Sequence, residues 1–240
     1  MELTFDDFKN RAKDKTLSKW EKIGFPDSYR KDLEFKIFED IYEKCNLAEN
    51  NVSNILDIGC GCGDLVAHLI NFTIQSKKSL FLIDSQEMLS NIILENNRIT
   101  KIEGYFPNVD YLKGKEQFFD TIIVYSVIQY PFLEQSIFKF IHKCLELIKP
   151  GGRILIGDIP NVSARNRFLN SKEGQKFSST IPEGKDQMKF DHDNAERIDD
   201  SIVLAILARF RNSGCETYLL PQKEGLPFSN RREDILIIKR

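Results

Sequence analysis

The stretch Asn54-Ile-Leu-Asp-Ile-Gly-Cys-Gly-Cys-Gly-Asp64 constrains this chain more than any other part of it. An apolar run of strand character enters three glycines at alternate positions and then leads directly into a segment of helical character. That is the layout of a nucleoside-binding turn. Gly59, Gly61 and Gly63 lack a Cβ, so the backbone can adopt positive φ and a ligand can lie directly against main-chain N–H and C=O groups. The spacing also discriminates among nucleosides. A dinucleotide turn of the form G-x-G-x-x-G needs glycine or alanine at position 64, and this chain has Asp64 there. Its carboxylate would face a pyrophosphate at the helix N-terminus, so a diphosphate ligand is disfavoured.

A second landmark is Ser79-Leu-Phe-Leu-Ile-Asp84, a short apolar run with the character of a buried parallel strand. It ends on an acid ~20 residues past the glycine turn, where a carboxylate can accept both ribose hydroxyls. Ser85 has the chemistry of an N-cap for the segment that follows. Phe119-Asp-Thr-Ile-Ile-Val-Tyr-Ser-Val-Ile-Gln-Tyr130 and Leu147-Ile-Lys-Pro-Gly-Gly-Arg-Ile-Leu-Ile-Gly-Asp158 complete the series. With Asp57-x-Gly59-x-Gly61-x-Gly63, these segments resemble, in order and spacing, the motifs of class I S-adenosylmethionine (SAM) dependent methyltransferases. The resemblance covers most of the chain beyond residue 50.

It implies SAM as cofactor and S-adenosylhomocysteine (SAH) as product. On the matching positions, Asp57 and the Gly59 and Gly61 backbone, within the turn closed by Gly63, would handle the methionine amino group. Asp84, with Ser85 beside it, would hold the ribose, and the Tyr125–Ser126 backbone would hold the methionine portion. One departure is clear. Where many relatives end the third strand on an acid for the adenine amino group, this chain reads Ile102-Glu-Gly-Tyr-Phe-Pro107. Adenine then falls to backbone N–H groups near Tyr105 and Phe106 and to contact with an aromatic ring. The family's frequent histidine after the fourth strand is also absent, with Gln129 nearest its place.

At 240 residues, 41% hydrophobic and 29% charged, the chain suffices for one sizeable core and reads as a single α/β domain with elaborations. A net charge of −2 demands no basic face, so nucleic acid is not favoured as a partner. The acidic start Met1-Glu-Leu-Thr-Phe-Asp-Asp7 lacks the layout of a signal peptide, and the apolar runs are strand-sized. A cytoplasmic location with no membrane contact is the expectation. Five cysteines form no disulfide framework in a chain of this size, which agrees with a reducing compartment. Nothing in the sequence speaks to oligomeric state.

The rhythm along the chain predicts an α/β fold. Strands are expected near 53–58, 79–84, 100–105, 119–125, 152–158, 214–220 and 233–239, with helices near 63–74, 86–96, 134–148 and 194–212. Right-handed crossovers then give a doubly wound, mostly parallel seven-stranded sheet with helices on both faces. Residues 1–50 read as an N-terminal helical extension, with Leu33, Ile37, Phe38 and Ile41 at helical spacing. Residues 51–240 read as the methyltransferase domain. Within it, residues 160–193 are polar and irregular and are expected to form a lid insert after the fifth strand.

Methyl transfer needs the acceptor held in line with the methyl group, and a base only where the acceptor is protonated. Candidate bases are Asp158, at the end of the fifth strand, and His192, whose imidazole titrates near neutral pH beside Asp191 and Asp193. Arg165 and Arg167 are candidates for binding an anionic acceptor. Plainer roles stay open for all of them: Asp57 can cap its own turn, Asp84 the next helix, and the arginines can be solvated. Cys60 and Cys62 are small residues tolerated in a tight turn, and no metal site is expected. The leading expectation is methylation of a small molecule at oxygen, and the Gly157-Asp-Ile-Pro-Asn161 segment with the arginines after it resembles small-molecule methyltransferases of surface-polysaccharide or specialised-metabolite pathways. A catalytically silent SAM-binding subunit and an RNA or protein methyltransferase remain as alternatives.

Overall fold

The computed structural model of the chain describes residues 3–179 and 196–240. Strands β1 (Asn54–Ile58), β2 (Ser79–Asp84), β3 (Ile99–Glu103), β4 (Phe119–Tyr125), β5 (Ile148–Pro160), β6 (Glu216–Pro221) and β7 (Arg232–Ile238) form one seven-stranded sheet. Its order is β3-β2-β1-β4-β5-β7-β6. All neighbours from β3 to β5 pair in parallel, and β7 runs antiparallel to both β5 and β6. Strand order reverses between β1 and β4, which opens a crevice at their carboxyl ends.

The central strands are buried on both faces, which is why they read as continuous apolar runs rather than alternating ones. The period of two sorts their side chains into two cores. Leu56, Phe81, Ile122 and Ile154 point to one, with α8 (Ile137–Leu147) and α11 (Asp200–Asn212) packed over them. Ile55, Leu82, Ile123 and Leu155 point to the other, beneath α4 (Glu34–Lys44) and α5 (Asp64–Gln75).

Ahead of α4 the N-terminal segment folds into α1 (Phe5–Lys13), α2 (Lys19–Lys22) and α3 (Asp27–Arg30). Reciprocal capping boxes start the first two, Thr4 with Asp7 and Ser18 with Glu21. The amide of Asn91 donates to the Ala12 carbonyl at 3.2 Å, and Lys22 donates to Asn91 Oδ1 at 2.6 Å, so α1 and α2 are tied to the domain just past β2.

Three helices differ from the expected bounds. The one after β2 stops as α6 (Gln86–Leu89), because the Asn91 side chain takes the Glu87 carbonyl at 2.8 Å, the acceptor its own N–H would use in a continuing helix. The expected helix at 134–148 divides into α7 (Gln129–Glu134) and α8, the second started by the Ser136 side chain. Helix α11 begins only at Asp200, where Asp199 caps it.

The segment after β5 is more regular than its sequence suggests. It forms α9 (Val162–Asn170), capped by Asn161 on Ser163 and Ala164 N–H, and α10 (Lys172–Ser179). Polar caps start these helices where apolar periodicity is weak. The Asp191-His192-Asp193 cluster lies outside the described residues. Among the described residues no helix is long and apolar enough to cross a membrane.

Candidate active site

The turn between β1 and α5 packs against the end of β4. A Cβ on Gly59, whose φ is +71°, would stand 2.6 Å from Val127 Cγ2, so glycine is required there by both conformation and space. The Gly59 N–H donates to Ile83 O at 2.8 Å, which pins the turn beside the end of β2. Asp84 at that end accepts from Gly61 N at 2.9 Å and from Ser85 N at 2.7 Å. Its carboxylate is thereby oriented on the wall of a cavity that opens over the turn. Burial is the largest influence on this acid and pushes it up to about 6, against the two backbone donors.

Asp57 is 4% exposed and lies on the sheet face beneath α4 and α5, the face it shares with Ile123 and Tyr125. Burial first, and the nearby Asp84 second, push it up to about 7. The Cys60 thiol is also driven up by burial, as is that of Cys62, to about 11. Both are poor nucleophiles, since thiol reactivity requires the thiolate.

The N-terminal helices supply the rest of the wall. Glu34, 2% exposed, accepts from the N–H groups of Asp64 and Leu65, the latter at 3.0 Å, and so caps α5 from outside its own chain segment. Desolvation raises its pKa, opposed by Arg30 and by these amides. Arg30 is 4% exposed; its Nη2 donates to Ser126 Oγ at 2.7 Å and to Asp158 Oδ2 at 3.2 Å. Its guanidinium lies 4.0 Å from the centre of the Phe25 ring. Ser126 and Asp158 both hold positive φ, +60° and +58°, so two adjacent strand ends are fixed in a conformation that L-residues rarely adopt.

Asp158 is the hub of a buried polar network. Besides Arg30 it receives Arg232 Nη1 at 2.7 Å, Gln222 Nε2 at 3.4 Å and the Ser126 hydroxyl. Its own N–H donates to Asp234 Oδ1 at 2.8 Å, and Asp234 is paired with Lys44 at 2.7 Å. Burial pushes Asp234 up to about 6, against the pull of Lys44.

The far wall is aromatic. Tyr105, Phe106, Tyr130 and Phe140 face the cavity, and Phe5 and Phe8 of α1 close over it. The Phe5 ring sits 4.7 Å from Tyr105, and the Phe8 ring 5.1 Å from Tyr130. At the rim the Tyr105 hydroxyl donates to Glu134.

Of the residues singled out from sequence, Gly59, Gly61, Gly63, Asp84, Tyr105, Phe106, Tyr125 and Ser126 line this cavity. Asp57 lies behind it, and Ser85 caps α6, donating its N–H to Asp84. Asp158 is brought next to the site but is clamped by two guanidinium groups. A carboxylate so engaged positions its partners.

Arg165 and Arg167 do not line the cavity. Arg167 is exposed and pairs with Asp200 and Glu233. The described part of the segment after β5 packs elsewhere, with Arg231 lying over the Phe168 and Phe177 rings. Among the described residues, the cover over the cavity comes from the N-terminal helices. Arg30, Glu34, Phe5 and Phe8 were not singled out from sequence. Nothing local marks them, because each acquires its place through partners far along the chain. Among the described residues, no group of three or more His, Cys, Asp or Glu side chains is placed to hold a metal ion.

Residues 55–152 match a family model described as a methyltransferase domain. Over 140 residues, 57% of this chain, the sequence is 27% identical to chondramide synthase cmdD of Chondromyces crocatus. The chain spans about 4% of the length of that curated relative. Among solved structures, the plantazolicin methyltransferase BpumL, in complex with a triazolic desmethylPZN analog and SAH, is similar at a TM-score of 0.60, with 15% identity and 98% of both chains covered. The CurJ carbon methyltransferase is similar at a TM-score of 0.57 and 12% identity, over 88% of this chain and 56% of that one. At such identities the likeness to these two is one of fold.

Proposed function

We propose that this chain, whose residues 55–152 match a methyltransferase domain model, is a class I, SAM-dependent methyltransferase that transfers a methyl group to a small, flat and largely apolar acceptor. The observation that carries the reading is the Asp84 carboxylate, locked by two backbone donors at the edge of a glycine turn packed so closely on Val127 that Gly59 has no room for a Cβ. Two oriented acceptor oxygens suit a ribose diol. Glu34 is a buried acid on the wall suited to an ammonium, with the Asp57 charge just behind the turn, and Met88, Phe106 and Phe140 offer apolar surface to a base.

When bound, SAM supplies a methyl group made electrophilic by the sulfonium. The protein's part is to hold the acceptor in line with it and to exclude water, which the aromatic wall and α1 serve. We propose an oxygen acceptor that is itself acidic, such as a phenol acidified by an electron-withdrawing group or the enol of a 1,3-dicarbonyl. No histidine lines the cavity among the described residues, Glu134 is taken by Tyr105, and Asp158 is clamped. A hydroxyl that ionises near neutral pH needs no protein base. An anionic polymer such as RNA fits poorly, since Arg30 is the one Lys or Arg lining the cavity among the described residues.

The direct test is ligand binding. SAM or SAH at about a hundred times its Kd should stabilise the fold by about 2.7 kcal/mol, raising Tm by roughly 5–10 °C. Asp84→Ala should weaken binding by about 1.5–3 kcal/mol, the cost of losing hydrogen bonds to a charged group. No shift with either nucleoside, in well-folded protein, would sink the proposal.

A pH dependence follows from the raised acids. Folded Asp57 and Asp84 titrate near 7 and 6, above the ordinary 3.8, so the empty fold binds more protons than the unfolded chain between about pH 4 and 7. Their contribution to the stability of the ligand-free protein is therefore full below pH ~4 and lost as pH rises through 6 and 7. A cationic ammonium and a ribose diol favour the ionised acids. Cofactor binding should then release protons between pH 6 and 7, and affinity should climb across that window and level off above it. Calorimetry at pH 6.5 in buffers of different ionisation enthalpy reads the release directly; identical heats in all buffers would contradict it.

A further inference from the structure

We propose that Arg30 binds the carboxylate of the cofactor's amino-acid end, so that the N-terminal segment completes a site built mainly by the matched domain. The inference rests on the functional reading above. It starts from charge. Among the described residues lining the cavity, Asp84, Glu34 and Glu134 are acids and Arg30 is the one Lys or Arg, while Asp57 lies just behind the turn. An amino-acid group brings one cation and one anion. The ammonium has several acids to choose from, and the carboxylate has a single guanidinium.

Position supports the same pairing. Arg30 reaches Ser126 at the end of β4, the strand end that the family resemblance implies for the methionine portion. The glycine turn abuts that strand end, as the 2.6 Å approach of a Gly59 Cβ to Val127 shows. The Arg30 guanidinium and the turn's backbone N–H groups therefore border the same stretch of cavity.

The side chain is also set up to receive an anion. Nη2 is used by Ser126 and Asp158, yet Nε is buried and makes no hydrogen bond. A buried donor without an acceptor is unfavourable, and a ligand carboxylate would supply the acceptor. The fork geometry of arginine matches a carboxylate. Phe25 on one side and Asp158 on another hold the guanidinium before any ligand arrives, which lowers the ordering cost of binding. Asp158, braced by Arg232 and Asp234, is then a positioning residue that acts through Arg30.

The test compares two ligands on the full chain by calorimetry. SAH carries the amino-acid end; 5′-methylthioadenosine has the same nucleoside and thioether without it. Arg30→Gln should weaken SAH roughly 10- to 100-fold, the range for a hydrogen bond to a charged group, and leave methylthioadenosine within about twofold. Arg30→Lys should fall between, because it keeps the charge and loses the fork. It also carries the comparison if the Gln variant does not fold. Unchanged SAH affinity in the folded variants, or equal loss of both ligands, overturns the proposal. Wild-type protein that binds neither ligand would instead overturn the functional reading itself.

Discussion

Replacing Asp158 with alanine is expected to cost about 3–5 kcal/mol of stability, because it strands two guanidinium groups in a buried place. Arg30 and Arg232 are 5% and 18% exposed at their side chains, and both donate to the same Asp158 oxygen. Arg30 has no bulk water to replace that partner, and Arg232 is only partly open to it. The Ser126 hydroxyl loses an acceptor at the same time. Asp158→Asn keeps the volume and one acceptor oxygen, so it should lie between wild type and alanine. Urea unfolding of the ligand-free protein measures this as a lowered midpoint at unchanged slope. An alanine variant of wild-type stability that has lost turnover would restore Asp158 to the role of base. The expected pattern is the reverse: stability falls, and turnover falls only as far as Arg30 is displaced.

Phe140→Ala should destabilise by about 3–5 kcal/mol, the usual range for emptying a buried aromatic site, and lower Tm by about 10 °C. Phe140 is 2% exposed, and its ring meets Phe106 edge-on with centroids 4.7 Å apart. It stands in the core between α8 and the sheet while also facing the cavity, so one side chain separates packed interior from ligand space. Its loss should therefore also weaken methylthioadenosine, which Arg30→Gln should not do. Thermal melts without ligand, followed by calorimetry on the variant, check both effects. A fall in Tm below about 2 °C would show that the surrounding side chains collapse into the space and that the ring is no essential wall.

Phe140 and Arg30 line the same cavity, and Asp158 holds Arg30 in place there. Most of the cavity is built from residues 55–152, which match a methyltransferase domain model, and the rest of its wall comes from the segment ahead of it. Truncation of the first fifty residues would therefore remove Phe5, Phe8, Arg30 and Glu34 from the wall and uncap α5, even though no strand would be lost.

What the sequence by itself determined is everything that depends on local pattern. The apolar runs ending at Ile58, Asp84 and Tyr125 are strands because a parallel sheet buries both faces, and that leaves a continuous hydrophobic signature. The glycine turn and Asp84 were legible because a tight turn and a strand-end acid are written in consecutive residues. Helix bounds were less so. Whether a helix stops at Leu89 or starts at Asp200 depends on one side chain finding a carbonyl or an amide. Only the tertiary structure decided which segment covers the cavity, and it brought α1 there rather than the described residues after β5. It also decided that Asp158 meets Arg30, 128 residues away, and that Lys44 meets Asp234, 190 residues away. No periodicity predicts such pairs, because a buried charge selects its partner by proximity after the sheet has formed, and proximity between distant segments is a property of the fold.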